Sequence, residues 1–128
     1  MNSPESFLEG VKLQIGASPH VILSILVREK LEEEAAFYRF RLLLADGSRL
    51  DASERVELIG ERLVITKYSF HWQDRDGRLI ARWDTAPHHL TLPTFPHHIH
   101  DGAEENIQPH APVTLADVLA TISRRLKE

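Results

Sequence analysis

The amino-acid sequence predicts an α+β fold in a single domain, 1–128: an antiparallel meander of about five strands, a helix at each end, and a long loop rich in histidine and proline. Three observations lead there. Between Val21 and Asp84, runs of alternating apolar and polar residues are separated by glycine-containing turns. At either end a serine or threonine precedes apolar residues at helical spacing. From Thr85 to Val113 there are five prolines and no period.

Ser3-Pro4-Glu5 has a capping serine and a proline in the first turn, and Phe7, Leu8 and Val11 follow on one side, although Gly10 weakens that helix. Ala17-Ser18-Pro19 ends it. The β-branched run Val21 to Val27 is the first strand, and Glu32, Glu33 and Glu34 form a solvated turn. Phe37–Leu44 and Arg49–Leu58 meet at Asp46-Gly47. Arg62–Gln73 follows a turn at Gly60-Glu61, and Arg78–Asp84 follows Asp74–Gly77, so neighbours in sequence are neighbours in space. Asp101 to Gln108, acidic and glycine-containing, is expected to be the least ordered part of the loop. Thr114 then caps a helix whose Leu115, Val118, Leu119, Ile122 and Leu126 make a stripe for the aromatic sheet face.

Two-residue loops at 46/47, 60/61 and 75/76 assign the faces. The core face carries Tyr38, Phe40, Leu42, Leu44, Val64, Thr66, Tyr68, Phe70, Trp72, Leu79, Ala81 and Trp83. The other face collects Arg39, Arg41, Glu54, Lys67, His71, Arg82 and Asp84, with Arg39, Glu54, Lys67 and Asp84 in one row of alternating sign. Asp51, Arg55 and Glu57 fall on the core face, which requires a bulge or an edge in that strand.

Composition narrows the chemistry. With 42% hydrophobic and 27% charged residues the chain is of ordinary soluble type, and no apolar run nears the roughly 20 residues of a membrane helix. The segment MNSPESFLEG has no basic residue ahead of an apolar block, so a cytoplasmic location is expected. Having no cysteine excludes disulfides, thiolate nucleophiles and cysteine metal sites. Net charge is −4, against a strong non-specific grip on nucleic acid, yet Arg62 to His100 carries +2 and six of the eight histidines. Protonation there would build a basic surface on an acidic body.

Pro87-His88-His89 and Pro96-His97-His98 form a unit repeated after nine residues, and His100 completes a His-x-His. Three readings of this cluster stand side by side. The rings cap loop backbone and pack on Phe95, Trp72 and Trp83 without reaction. Alternatively, three histidines among His88, His89, His97, His98 and His100 hold a divalent metal, with Asp84 or Asp101 as fourth ligand or orienting partner. In the third reading, preferred and needing no cofactor, two rings flank a phosphate as acid and base. RNA suits it: a base takes the 2′-hydroxyl proton, an acid serves the leaving 5′-oxygen, and a cation meets the charge on phosphorus. Arg82 and His71 share a face beside the loop, Arg39, Arg41 and Lys67 are candidate substrate contacts on it, and Asp84 could orient a ring. A non-enzymatic module docking protein or nucleic acid on that charged face is the rival from another class.

The run KYSFHWQDRDGRLIARWDTAPHHLTLPTFPHHIHDG, Lys67 to Gly102, closely resembles the TumE family, and the likeness extends from about Ser18 to Ile122. It is carried by His71, Trp72, Gln73, Asp74, Gly77, Arg82, Trp83 and Asp84, by Pro87-His88-His89, and by Pro96-His97-His98 with His100. The resemblance implies a toxin of a type II toxin-antitoxin pair, with a helix-turn-helix antitoxin as partner covering its active surface. It brings no catalytic residues of its own. RNA as substrate rests on the histidines, no membrane partner is expected, and a homodimer is left open.

Overall fold

The first helix, α1 (Pro4–Ala17), starts as the sequence requires: the Ser6 amide donates to Ser3 Oγ at 3.0 Å and the Ser3 amide to Ser6 Oγ at 2.9 Å. The computed structural model describes residues 3–85, 92 and 94–127. After α1 come β1 (Val21–Leu31), β2 (Ala35–Leu44), β3 (Arg49–Ile59), β4 (Arg62–Gln73), β5 (Leu79–Asp84), β6 (His98–Asp101), β7 (Ile107–Pro109) and α2 (Leu115–Leu126). The seven strands lie in chain order in one sheet, each antiparallel to the next. Among the described residues no helix is long and apolar enough to cross a membrane.

The antiparallel meander and both helices are as expected, but the described residues form seven strands rather than about five. Both extra strands come from the segment expected to be loop. His98-Ile99-His100 alternates faces, and the stretch expected to be least ordered closes the β6–β7 hairpin, with the Asp101 amide donating to Asn106 O at 3.0 Å and Gly102 at φ 76°.

Register differs at two of the three turns. At 46/47 the loop has three residues, Ala45 to Gly47: the Leu44 amide donates to Ser48 O at 2.9 Å and Gly47 takes the left-handed φ of 86°. That one-residue step turns β3 over. Leu50, Ala52, Glu54 and Val56 face the core, and Asp51, Arg55 and Glu57 do not. The 60/61 loop is the expected one, with Ile59 opposite Arg62, but a bulge follows at Thr66, where Arg55 pairs with Lys67 and Val56 with Ile65. In consequence Leu63 and Ile65 pack on the core, and Val64 and Thr66, assigned to it from sequence, are exposed.

The third turn is again a three-residue loop, with the Asp74 amide donating to Arg78 O at 2.8 Å and Gly77 at φ 84°. A register shift at Ile80 adds a second step, so the two offsets cancel and Ala81 and Trp83 point inward as expected. Leu79, placed opposite Gln73, leaves the core face and Ile80 packs there instead. The expected row Arg39, Glu54, Lys67, Asp84 does not form. The row is Arg39, Ser53, Ser69, Asp84, and Glu54 lies in the core.

One sheet face is covered by both helices. Leu8, Val11 and Ile15 of α1 and Leu115, Val118, Leu119 and Ile122 of α2 join Tyr38, Phe40, Phe70, Trp72 and Trp83 in a single cluster. α2 begins with the expected cap, Thr114 Oγ1 accepting from the Asp117 amide at 3.3 Å. Trp72 is fixed at both ends: its indole donates to Ser48 Oγ at 3.1 Å, and the Arg125 guanidinium lies 5.2 Å above its ring. β1 differs from every other strand. It is the long edge of the sheet, β7 being the short one at the other side; it is exposed along almost its whole length, and Ile22, Leu23, Ile25, Leu26, Val27 and Leu31 are among its exposed residues.

Candidate active site

The face without helices carries two cross-strand rows. The first runs Arg41, Asp51, His71, Arg82, His100 from β2 to β6, and the second, two residues along each strand, runs Arg39, Ser53, Ser69, Asp84, His98. Neighbouring strands are about 4.8 Å apart, so residues far apart in the chain share one surface.

Four sequence-predicted residues meet where β5 pairs with β6. Arg82 Nε donates to Asp84 Oδ2 at 3.0 Å, and a terminal guanidinium nitrogen donates to His100 Nε2 at 3.0 Å. His98 Nε2 lies 2.8 Å from Asp84 Oδ1, and the two imidazoles meet edge to face with centroids 5.0 Å apart. Asp84, His98 and His100 are all buried, and Arg82 is half-buried.

The partners fix where hydrogens sit. His98 Nδ1 is 2.9 Å from Pro96 O, and His100 Nδ1 is 2.7 Å from Glu104 O. Carbonyl oxygens only accept, so both Nδ1 atoms carry hydrogen. His100 Nε2 therefore presents a lone pair to Arg82. His98 Nε2 and Asp84 Oδ1 hold a hydrogen between them, a charge-assisted contact.

Both Nδ1 atoms anchored on backbone, with both Nε2 atoms aimed at one carboxylate, is also how metal-ligating histidines are held. The ligand atoms of Asp84, His98 and His100 lie within 4.8 Å of one another, a set that fits a divalent ion of the nitrogen- and oxygen-binding kind. Arg82 supplies the positive charge at that point, so an ion would displace its guanidinium. Asp101, the other carboxylate considered from sequence, is opposite Ala81 on the helix-covered side and stands apart from this set.

The remaining candidates scatter in an orderly way. His71 is beside Arg82 in the first row and lines a cleft of about 300 Å³ with Arg41, Arg49, Asp51 and Gln73. Arg39 is committed to Asp51 through two bonds of 2.9 and 2.8 Å, and Arg41 lies 3.6 Å from the same carboxylate. Partial burial pushes Asp51 up, but the Arg39 hydrogen bond and charge hold it below its usual range. Lys67 is exposed opposite Arg55, one row beyond Asp84. His97 leaves the cluster for the aromatic side, its ring stacked on Tyr68 at 5.7 Å with Nδ1 2.8 Å from the phenol oxygen. Burial, and then the charge of Asp84, push the Tyr68 phenol up, against the pull of the Val113 amide. His88 and His89 lie outside the described residues.

Sequence reasoning missed one carboxylate, Glu104, and put another, Glu54, on the wrong face. Glu104 in the β6–β7 hairpin reaches Arg82 with both oxygens, at 3.1 and 2.9 Å. The signal for it was the polar-apolar-polar step His98-Ile99-His100 ahead of Asp101-Gly102, a strand entering a turn. Glu54, 2% exposed, accepts from the Tyr38 hydroxyl at 2.5 Å, and burial pushes its carboxyl up to about 7 against the pull of that bond. No local signal could have found it, because its direction depends on the 45–47 loop.

Compared with known families, the chain matches the profile described as toxin TumE over residues 12–127. Neither the curated proteins nor the solved structures give a match.

Proposed function

The chain belongs to the TumE family of toxins, and from that premise we propose that it is the toxin of a type II pair, cleaving RNA in the cytoplasm by acid-base chemistry on histidine. Family membership implies a cognate antitoxin, and the partner proposed is of the helix-turn-helix kind. One observation carries the chemistry: Arg82 stands between His71 and His100 in a single cross-strand row. A scissile phosphate on that guanidinium has an imidazole on either side.

The roles follow from the hydrogens. His100, held by Nδ1 on Glu104 O, has a bare Nε2 that Arg82 caps at 3.0 Å; once a phosphate draws that guanidinium away, the lone pair suits the base that takes the 2′-hydroxyl proton. His71, on the other side, would protonate the leaving 5′-oxygen, giving a 2′,3′-cyclic phosphate and a 5′-hydroxyl. Arg82 meets the charge growing on the non-bridging oxygens. Asp84 and His98 position Arg82 and touch no substrate. Glu104 occupies Arg82 as a phosphate would, so substrate replaces it.

The test is cleavage of a short RNA by purified protein, with His71→Ala and His100→Gln beside it. Cyclic phosphate ends from the parent chain, absent when all 2′-hydroxyls are methylated and lost by at least about 100-fold in either variant, are expected. Unchanged cleavage by both variants, or intact RNA where expression arrests growth, removes the proposal. The anchored Nδ1 atoms favour one second reading, a metal hydrolase built on Asp84, His98 and His100. A bound ion there would be released by chelator, and activity would return with added zinc. RNA that binds tightly without being cut would instead mark the non-enzymatic module.

A further inference from the structure

We infer that the cleft between β2, β3 and β4 is a subsite for one nucleotide of single-stranded RNA, next to the one whose phosphate meets Arg82. The inference rests on RNA being the substrate and adds where the rest of the strand goes. The cleft, about 300 Å³ and lined by Arg41, Arg49, Asp51, His71 and Gln73, is the size of a small ligand site. Its walls are polar on three strands of a rigid sheet.

Charge decides the class of ligand. Asp51, the acid of the cleft, is already neutralised by Arg39 with two bonds of 2.9 and 2.8 Å and by Arg41 at 3.6 Å. Arg49 has no carboxylate within ion-pair distance among the described residues and is exposed. The cleft therefore offers an uncommitted guanidinium, a fork that matches phosphate oxygens. Gln73 is directly opposite Arg49 in the β3–β4 ladder, and its amide can give and take a hydrogen bond at a base edge.

Continuity supplies the orientation. His71 lines this cleft and is also the neighbour of Arg82 across the β4–β5 ladder. A nucleotide seated between Arg49 and Gln73 thus has its chain leaving past His71 toward Arg82, one strand spacing away, about 4.8 Å.

The experiment uses a fluorescent six-nucleotide RNA, methylated at every 2′-oxygen so that it cannot be cut, titrated with full-length protein across a salt series. Arg49→Gln is expected to weaken binding about tenfold at low salt and to lower the slope of log K against log salt by about 0.7, one phosphate contact of a single strand. Gln73→Ala is expected to weaken binding without changing the slope. Arg62→Gln, an exposed cation at the 60/61 turn, should change neither. Wild-type affinity in Arg49→Gln and Gln73→Ala, or no binding by the wild type, overturns the subsite. Arg49-dependent binding with uncut natural RNA keeps the subsite and removes the nuclease. Cleavage with wild-type KM in Arg49→Gln does the reverse.

Discussion

Two buried carboxylates, Glu54 and Asp84, lie on opposite faces of the same sheet, and the comparison shows that company rather than depth decides what an acid can do. Glu54 has a phenol for a neighbour and a hydrophobic cluster around it, so burial drives it toward the neutral form, up to about 7. The Tyr38 phenol is pushed far up as well, first by burial and then by Glu54, and keeps its proton. Asp84 instead has a guanidinium on one oxygen and an imidazole on the other, at 3.0 and 2.8 Å. Both of its oxygens are taken by nitrogen. The first arrangement fills a core, and the second fixes a guanidinium and an imidazole on the face that the helices leave open.

The sharpest way to break the contrast is to empty the second site. Asp84→Ala leaves Arg82 and His98 without their carboxylate, and a loss of about 3 to 5 kcal/mol in urea unfolding is expected, with RNA cleavage down at least about 100-fold. Asp84→Asn, which keeps an acceptor for Arg82, should lose far more activity than stability. Equal losses in both would make Asp84 no different in kind from Glu54.

Glu54→Gln tests the other side through pH. Folding raises this acid from 4.5 to about 7, so the folded state holds its proton more tightly than the unfolded chain does. Wild-type stability is then intact below pH 4.5 and falls as pH rises through 7, whereas the amide variant has no such proton to lose. At pH 4 the two should melt alike, and at pH 8 the variant should be more stable by on the order of 3 kcal/mol. A difference that does not change with pH would mean that Glu54 is ionised in the core.

Smaller effects refine the comparison. Glu104→Gln takes an exposed anion off Arg82, and RNA should bind up to about fivefold more tightly, read by anisotropy at low salt. Least of all, Arg39→Gln breaks a surface pair with Asp51 and should cost no more than about 1 kcal/mol in thermal unfolding.

Elements were more legible than registers. β2, β4 and both helices follow from alternation, capping residues and helical spacing, signals a few residues long. The faces of β3 depend on whether Asp46-Gly47 closes a two- or a three-residue loop, and that is decided by Asp46 Oδ1 accepting from the Ser48 amide at 2.9 Å. Asp74 does the same for the Asp76 and Arg78 amides, both at 2.9 Å. The bulge at Thr66 leaves no mark on the sequence. The site was half legible for the same reason. Arg82, Asp84 and His71 could be put on one face from parity, but joining His98 and His100 to them required β6, four residues between prolines.

β1 has a consequence outside chemistry. Eleven residues of open backbone, with oily side chains along it, form a border onto which another extended chain can be laid. Whatever shields that border sets how much of the protein can accumulate before copies adhere to one another. Supply of such a shield is then expected to govern how the molecule behaves when made in excess.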